Sequence, residues 1–323
     1  MTETEVAKPN LPVPDNSPTT APPPTACQKA LAGWQPFDLK FATETAPCAL
    51  NFAFPGMKKG TVGAIVGTGG SGKSIWALML STSIASGHNV MQLPESEFPA
   101  LKVAYLSLED GDDVVHQRIY AIAKMLPEEN KAAFLENLQI IPIVGRGFDI
   151  MESSWREWLV TMLPRGSVLF IDTARRAHNL EENDSGEMAT FVNMLEEICR
   201  VAEVTIVFLH HTSKAGALNG SSDQQASRGS SVLTDNCRLQ LNLSTMTVGE
   251  LKLYNSIPED ERRSYVRLTY AKKNYGPPVP DRWLRRGPGG LLTWIDMPAP
   301  IAPAKTGRAQ GAGKRAATAV DEI

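Results

Sequence analysis

Apolar residues fall along this chain in short, nearly continuous runs, and the segments between them carry apolar residues at helical spacing. Residues 61–66 form the first run and predict a strand; Ile75, Trp76, Ala77, Leu78, Met79 and Leu80 follow after a glycine-rich break and predict a helix. Residues 103–108 predict a second strand. It leads into a helix that carries Val114, Val115, Ile119, Ile122, Ala123 and Leu126 on one face, with Asp112 as the expected N-cap. Residues 140–144 predict a third, short strand, which the internal Pro142 weakens. A helix over residues 155–163 precedes a strand over 167–171 that ends in Asp172. A helix from about residue 187 to 202 then precedes a strand over 204–209 that ends in His210 and His211. Such alternation of buried strands and helices predicts an α/β fold with a mostly parallel central sheet and helices on both faces.

Beyond His211 the pattern changes. Residues 212–230 are rich in Gly, Ser, Ala and Gln and predict a mobile loop. Residues 238–243, 265–271 and 290–295 predict C-terminal antiparallel strands, joined by Pro- and Gly-rich spacers. The first 26 residues are rich in Pro, Thr, Asn and Ala, and such a stretch has too little apolar surface to offset its ordering entropy. The expected organisation is therefore a disordered segment over 1–30, one folded domain over 31–297 and a disordered tail over 298–323. Trp34, Phe37, Phe41, Phe52 and Phe54 suggest that the start of the domain packs on the core as an irregular lead-in.

Composition narrows the picture in three ways. The 323 residues, 42% of them apolar, suffice for a full core. A net charge of −3 carries no global signal for a polyanion, so nucleic-acid binding would need a local basic surface or a ring of subunits. Cys27, Cys48, Cys199 and Cys237 show no ligand-like spacing and read as reduced thiols. No apolar run approaches the ~18 residues of a membrane span, and the N-terminus lacks the pattern of a signal peptide. The expectation is a soluble cytoplasmic protein with no membrane partner.

The candidate chemistry starts at Gly67-Thr68-Gly69-Gly70-Ser71-Gly72-Lys73-Ser74, between the first strand and the first helix. In the pattern G-x-x-x-x-G-K-[ST], backbone N–H groups converge on phosphate oxygens, the lysine reaches the β- and γ-phosphates, and the Ser74 hydroxyl serves Mg²⁺. In an open α/β sheet ligands bind outside the carboxyl ends of the strands. Three more such ends carry polar residues: Glu109, Asp172, and the pair His210 and His211. Asp172 suits either a carboxylate that reaches Mg²⁺ or a cap of the following helix, and the phosphate loop upstream favours the metal. Glu109 is either the general base for an attacking water or one member of an acidic cluster with Asp110, Asp112 and Asp113. His211 is either a γ-phosphate sensor or a satisfied core histidine. Zinc held by His178, His210 and His211 is disfavoured because adjacent strand residues point to opposite faces.

Together with the phosphate loop, several stretches resemble the RepA replicative helicases of broad-host-range plasmids, members of the RecA/DnaB-like ring ATPases. These are Ile171-Asp172-Thr173-Ala174-Arg175-Arg176-Ala177-His178, Phe208-Leu209-His210-His211-Thr212-Ser213-Lys214, the block from Gln224 to Arg238 that contains Ser227-Arg228-Gly229-Ser230-Ser231, and Asn274-Tyr275-Gly276. The resemblance implies a RecA-like P-loop NTPase core that uses ATP and Mg²⁺. It implies Lys73 and Ser74 on the nucleotide, Glu109 as base, Asp172 beside the metal and His211 as sensor. Arg238 stands where the family places an arginine finger that acts on the neighbouring subunit's nucleotide; the alternative is a surface arginine at a strand start. Arg118 and Tyr275 match positions that could sandwich the adenine, with Lys272 and Lys273 near the subunit boundary. Arg175, Arg176, Lys214 and Arg228 fall in two loops, over 173–186 and 212–230, that would meet single-stranded DNA; Glu181, Glu182 and Asp184 set acidic groups in the first of them. The implied function is an ATP-dependent DNA helicase of plasmid or mobile-element replication, working as a homohexameric ring, with a replication initiator or primase as a further partner. The alternative is a RecA-like DNA-binding or regulatory ATPase that uses ATP as an assembly switch. The Pro-rich start and the final tail depart from the family.

Overall fold

The computed structural model describes residues 35–94, 96–182, 184–211, 235–254, 256–298 and 300. The chain divides into two units, Met1–Ala49 and Leu50–Ile323. In the first, a short helix α1 (Leu39–Glu44) is N-capped by Asp38, whose carboxylate accepts from Phe41 N at 2.9 Å.

The second unit opens with a small hairpin, β1 (Phe52–Phe54) and β2 (Met57–Lys58), that turns at Gly56 with φ +85°. Of the stretch expected to pack on the core as an irregular lead-in, Phe54 and Met57 are buried on this regular element, whereas Phe37 and Phe41 are exposed, contrary to the expectation. The parallel part follows as β3 (Val62–Gly67), α2 (Lys73–Ser86), β4 (Val103–Ser107), α3 (Asp112–Ala123), α4 (Glu128–Asn137), β5 (Leu138–Pro142), α5 (Ser153–Met162), β6 (Val168–Asp172), a one-turn α6 (Ala174–Ala177), α7 (Ser185–Ala202) and β7 (Thr205–His211). Beyond residues 212–234, which include the expected mobile loop and lie outside the described residues, come β8 (Leu239–Thr245), a one-turn α8 (Val248–Leu251), β9 (Tyr265–Lys273), β10 (Arg282–Arg286) and β11 (Leu292–Ile295).

These strands form one nine-stranded sheet in the order β11-β10-β9-β8-β3-β7-β6-β4-β5. From β5 to β8 the neighbours run parallel; β8, β9, β10 and β11 pair antiparallel. The mostly parallel sheet, the helices on both faces and the C-terminal antiparallel strands match the fold class expected from the apolar pattern.

The pleat sorts alternate residues into two cores. Ile65, Tyr105, Phe170, Val207 and Leu209 face a cluster built with α2, α3 and α4, whereas Ala64, Val66, Leu106, Ile171 and Phe208 face one built with α5 and α7. Burial on both faces is why these strands read as continuous apolar runs. Each large side chain buried there contributes about 1.5–3 kcal/mol.

Two elements escape the periodicity. In α4 only Phe134 is buried, and in β10 only Leu284. At the start of α3 the N-cap position belongs to Gly111, not Asp112. Asp112 and Asp113 occupy the first turn, where a carboxylate interacts favourably with the helix dipole. Among the described residues no helix is long and apolar enough to cross a membrane.

Candidate active site at the carboxyl ends of the strands

Register brings the candidate residues together. Gly67 stands beside His211 on β7 and Leu243 on β8, and Ser107 beside Asp172, so the residues just beyond β3, β4, β6 and β7 share one edge of the sheet. Gly67 is required by close approach: a Cβ there would lie 2.4 Å from the Leu243 carbonyl oxygen. Gly72 N-caps α2 with φ +99°, a left-handed conformation that glycine adopts without strain.

Lys73 Nζ, nearly buried at the first turn of α2, donates to the carbonyls of Gly67 at 2.8 Å and Thr68 at 3.0 Å. It also lies 3.1 Å from His211 Nδ1. With the ammonium donating, Nδ1 is the acceptor and the ring proton sits on Nε2, which faces Glu109 Oε2 at 3.7 Å. Burial pulls the Lys73 ammonium down to about 8, against the attraction of Asp172 and Glu109. His211 is lowered by burial and by Lys73, with Glu109 opposing. Glu109 Oε1 accepts from Thr173 Oγ1 at 3.1 Å. The carboxylate is thereby held between a hydroxyl on one side and an imidazole on the other.

Asp172 ends β6, and its peptide bond to Thr173 is cis. The Tyr105 hydroxyl donates to its Oδ2 at 2.6 Å. Burial raises the Asp172 carboxyl to about 6, although the Tyr105 hydrogen bond and the nearby Ser74 hydroxyl oppose the rise. Its Oδ1 is buried with no hydrogen-bond partner, and the Ser74 hydroxyl lies close to the carboxylate. An orphaned carboxylate oxygen next to a hydroxyl is a donor set suited to Mg²⁺, a hard cation that takes few protein ligands and keeps the rest for phosphate and water.

For zinc the geometry is unfavourable. His210 points away from His211 into the core, with Nδ1 4.0 Å from Glu182, and burial lowers it to about 4. The His178 ring packs edge-on against Phe191 at 4.6 Å. No group of three or more His, Cys, Asp or Glu side chains able to hold a metal occurs among the described residues.

The remaining sequence candidates separate. Arg118 on α3 pairs with Asp110 at 2.5 Å, at the phosphate-loop end of the sheet. Tyr275 lies at the other end, two residues beyond Lys273, which pairs with Leu239. There it lines a cavity of about 770 Å³ with Phe54, Gly56, Asn89, Lys273 and Pro277. One chain therefore does not bring Arg118 and Tyr275 together around a base.

Arg238 shares that far end. Its N–H donates to the Val62 carbonyl at 2.8 Å, and its guanidinium lies 3.8 Å from Glu196, half exposed. From Arg238 to Leu243, the neighbour of Gly67, is five residues of extended chain, roughly 17 Å. Lys272 Nζ donates to the Asp235 carbonyl at 2.5 Å nearby. Arg175, 3.9 Å from Glu182, and Arg176 line a cavity of about 670 Å³ with Glu109, Gly145, Gly147 and Asn179. Lys214 and Arg228 lie outside the described residues.

Three polar partners of the site were not legible locally. Tyr105 and Thr173 reach Asp172 and Glu109 only through the pairing of β4 with β6. Arg286, from β10, donates to the phosphate-loop carbonyls of Gly70 and Ser71, each at 3.2 Å.

Fold and site together define a RecA-like α/β core with a phosphate-loop motif at the carboxyl end of its parallel strands. Residues 35–217 match the family described as AAA domain, and the chain belongs to that family. Among solved structures, one ATPase domain is similar at 15% identity over 85% of this chain and 100% of that one, with a TM-score of 0.53. A DnaB-like replicative helicase, solved to show its interactions with primase, is similar at 15% identity over 79% of this chain and 64% of that one, with a TM-score of 0.51. The RadB recombinase aligns at 15% identity over 74% of this chain and 92% of that one, with a TM-score of 0.48.

Proposed function

We propose that the chain is an ATP-dependent DNA helicase of plasmid or mobile-element replication, hydrolysing ATP between the subunits of a homohexameric ring to move on single-stranded DNA. The observation that carries this reading is the separation of Lys73 from Arg238 along the same strands. An Arg238 that meets a γ-phosphate meets one held by another copy, and a closed ring supplies every site with such a neighbour.

Within the site, Lys73 leaves the Gly67 and Thr68 carbonyls for the phosphates, and the phosphate loop supplies N–H groups. Glu109, steadied by Thr173, accepts the proton of the attacking water, and His211 senses the charge change between Lys73 and Glu109. Ser74 and Asp172 would hold Mg²⁺, whose charge offsets that on the β- and γ-phosphate oxygens. Arg175, Arg176, Lys214 and Arg228 track the DNA backbone as a few cations per subunit, repeated around the ring. The folded domain spans 31–297, the protein works in the cytoplasm, and a replication initiator or primase is its further partner; residues 1–30 and nearly all of 298–323 lie outside the described residues.

ATP turnover with and without single-stranded DNA, measured beside native mass spectrometry in ATP and Mg²⁺, tests this. Hexamers are expected, with DNA-stimulated turnover that Arg238→Ala lowers by about 10³. A monomer whose turnover is indifferent to Arg238→Ala contradicts the reading.

A further inference from the structure

The C-terminal hairpin closes on the outside of the phosphate loop. Leu292, at the start of β11, is buried with its N–H 3.3 Å from Met79 Sδ on α2. A Cβ on Gly72 would lie 2.7 Å from Leu292 Cδ1 and 3.1 Å from Arg286 Nη2, so glycine there lets the hairpin approach. Arg286, paired with Leu292 across the hairpin, donates from Nη2 to the carbonyls of Gly70 and Ser71. Among the described residues it has no carboxylate partner, unlike its neighbour Arg285, which pairs with Glu261 at 2.8 Å. Burial lowers its pKa with no opposing acid.

A planar trans peptide sets its C=O and N–H on opposite sides. The Gly70 carbonyl shares a peptide with Ser71 N–H, and the Ser71 carbonyl shares one with Gly72 N–H. A guanidinium that holds both carbonyls from outside therefore turns both N–H groups inward. Ser71 N–H closes the turn onto the Thr68 carbonyl at 3.2 Å. Lys73 grips Gly67 and Thr68 from within, and Arg286 grips Gly70 and Ser71 from without. Lys73 must let go when a phosphate enters, and Arg286 need not.

We propose that Arg286 is a positioning residue for the nucleoside di- or triphosphate: it holds the loop in its binding shape and sets an uncompensated positive charge at the edge of the phosphate site. This rests on the nucleotide-binding reading of that loop. It makes the C-terminal hairpin a working part of the site.

Fluorescence titration with N-methylanthraniloyl-ADP, steady-state ATP turnover and thermal melts on the full chain test it. Arg286→Ala is expected to weaken nucleotide binding about tenfold and to raise KM by more than it lowers kcat. Arg286→Lys recovers part of the affinity, and Arg285→Ala, on the other face of β10, binds as the wild type does. Unchanged affinity in Arg286→Ala overturns the proposal. So does a lysine variant as weak as the alanine one at equal melting temperature, or a fall in kcat with KM unmoved. A wild-type chain that binds no nucleotide instead removes the reading of the loop itself.

Discussion

At the scale of single residues, the site rests on side chains that hold one another's charge in place. Asp172 is the clearest case: its carboxylate is buried, one oxygen is satisfied by Tyr105 at 2.6 Å and the other is left open. Tyr105→Phe removes the hydroxyl that donates to Oδ2 and leaves that oxygen unpaired. A hydrogen bond to a buried charged group is worth about 1.5–3 kcal/mol, so a loss of about 2 kcal/mol of unfolding free energy is expected by urea denaturation. An unchanged midpoint would mean that the carboxylate finds another donor. The phosphate loop, Glu109, Asp172 and His211 were visible in the chain because each follows an apolar run, and the ends of such runs are where α/β sheets carry their ligands. Tyr105 was not. In sequence it is one aromatic residue in a buried strand, and its hydroxyl acquires a role only when β4 pairs with β6 and the pleat aims it at Asp172.

At the scale of elements, the loop between β3 and α2 is shaped by which glycines have neighbours. Gly67 has no room for a side chain, because β8 runs beside it and its Leu243 carbonyl faces the missing Cβ. Gly69 has nothing within 4 Å of a Cβ and no left-handed φ. Gly67→Ala is expected to cost about 3 kcal/mol, as the overpacked strands must part, whereas Gly69→Ala stays within about 0.5 kcal/mol of wild type. Chemical denaturation of the two variants separates these outcomes, and equal stability would mean that β8 yields at no cost. Legibility followed burial in the same way. Strands covered on both faces announced themselves as runs. By contrast α4, with Phe134 alone inside, and β10, whose sequence is mostly charged, carry no period to read. Arg286 was missed with its strand, since its approach to Gly70 depends on the hairpin packing against α2 through Leu292.

At the scale of the whole molecule, the sheet has two chemically distinct ends. One gathers Lys73, Glu109, Asp172 and His211; the other carries Arg238, Lys273 and Tyr275. Sequence spacing shows neither end as such, because strand direction and order are properties of the folded sheet. The separation explains why Arg118 and Tyr275 do not meet in one chain, and it makes a nucleotide site shared by two copies the central claim. Mixing Lys73→Ala chains with Arg238→Ala chains tests that claim directly. Each variant alone is inactive, but in randomly mixed rings about a quarter of the interfaces join an intact Lys73 to an intact Arg238. The account predicts that ATP hydrolysis returns on mixing, in proportion to those composite interfaces. Rings shown by native mass spectrometry to be well mixed, yet without recovered hydrolysis, would contradict it.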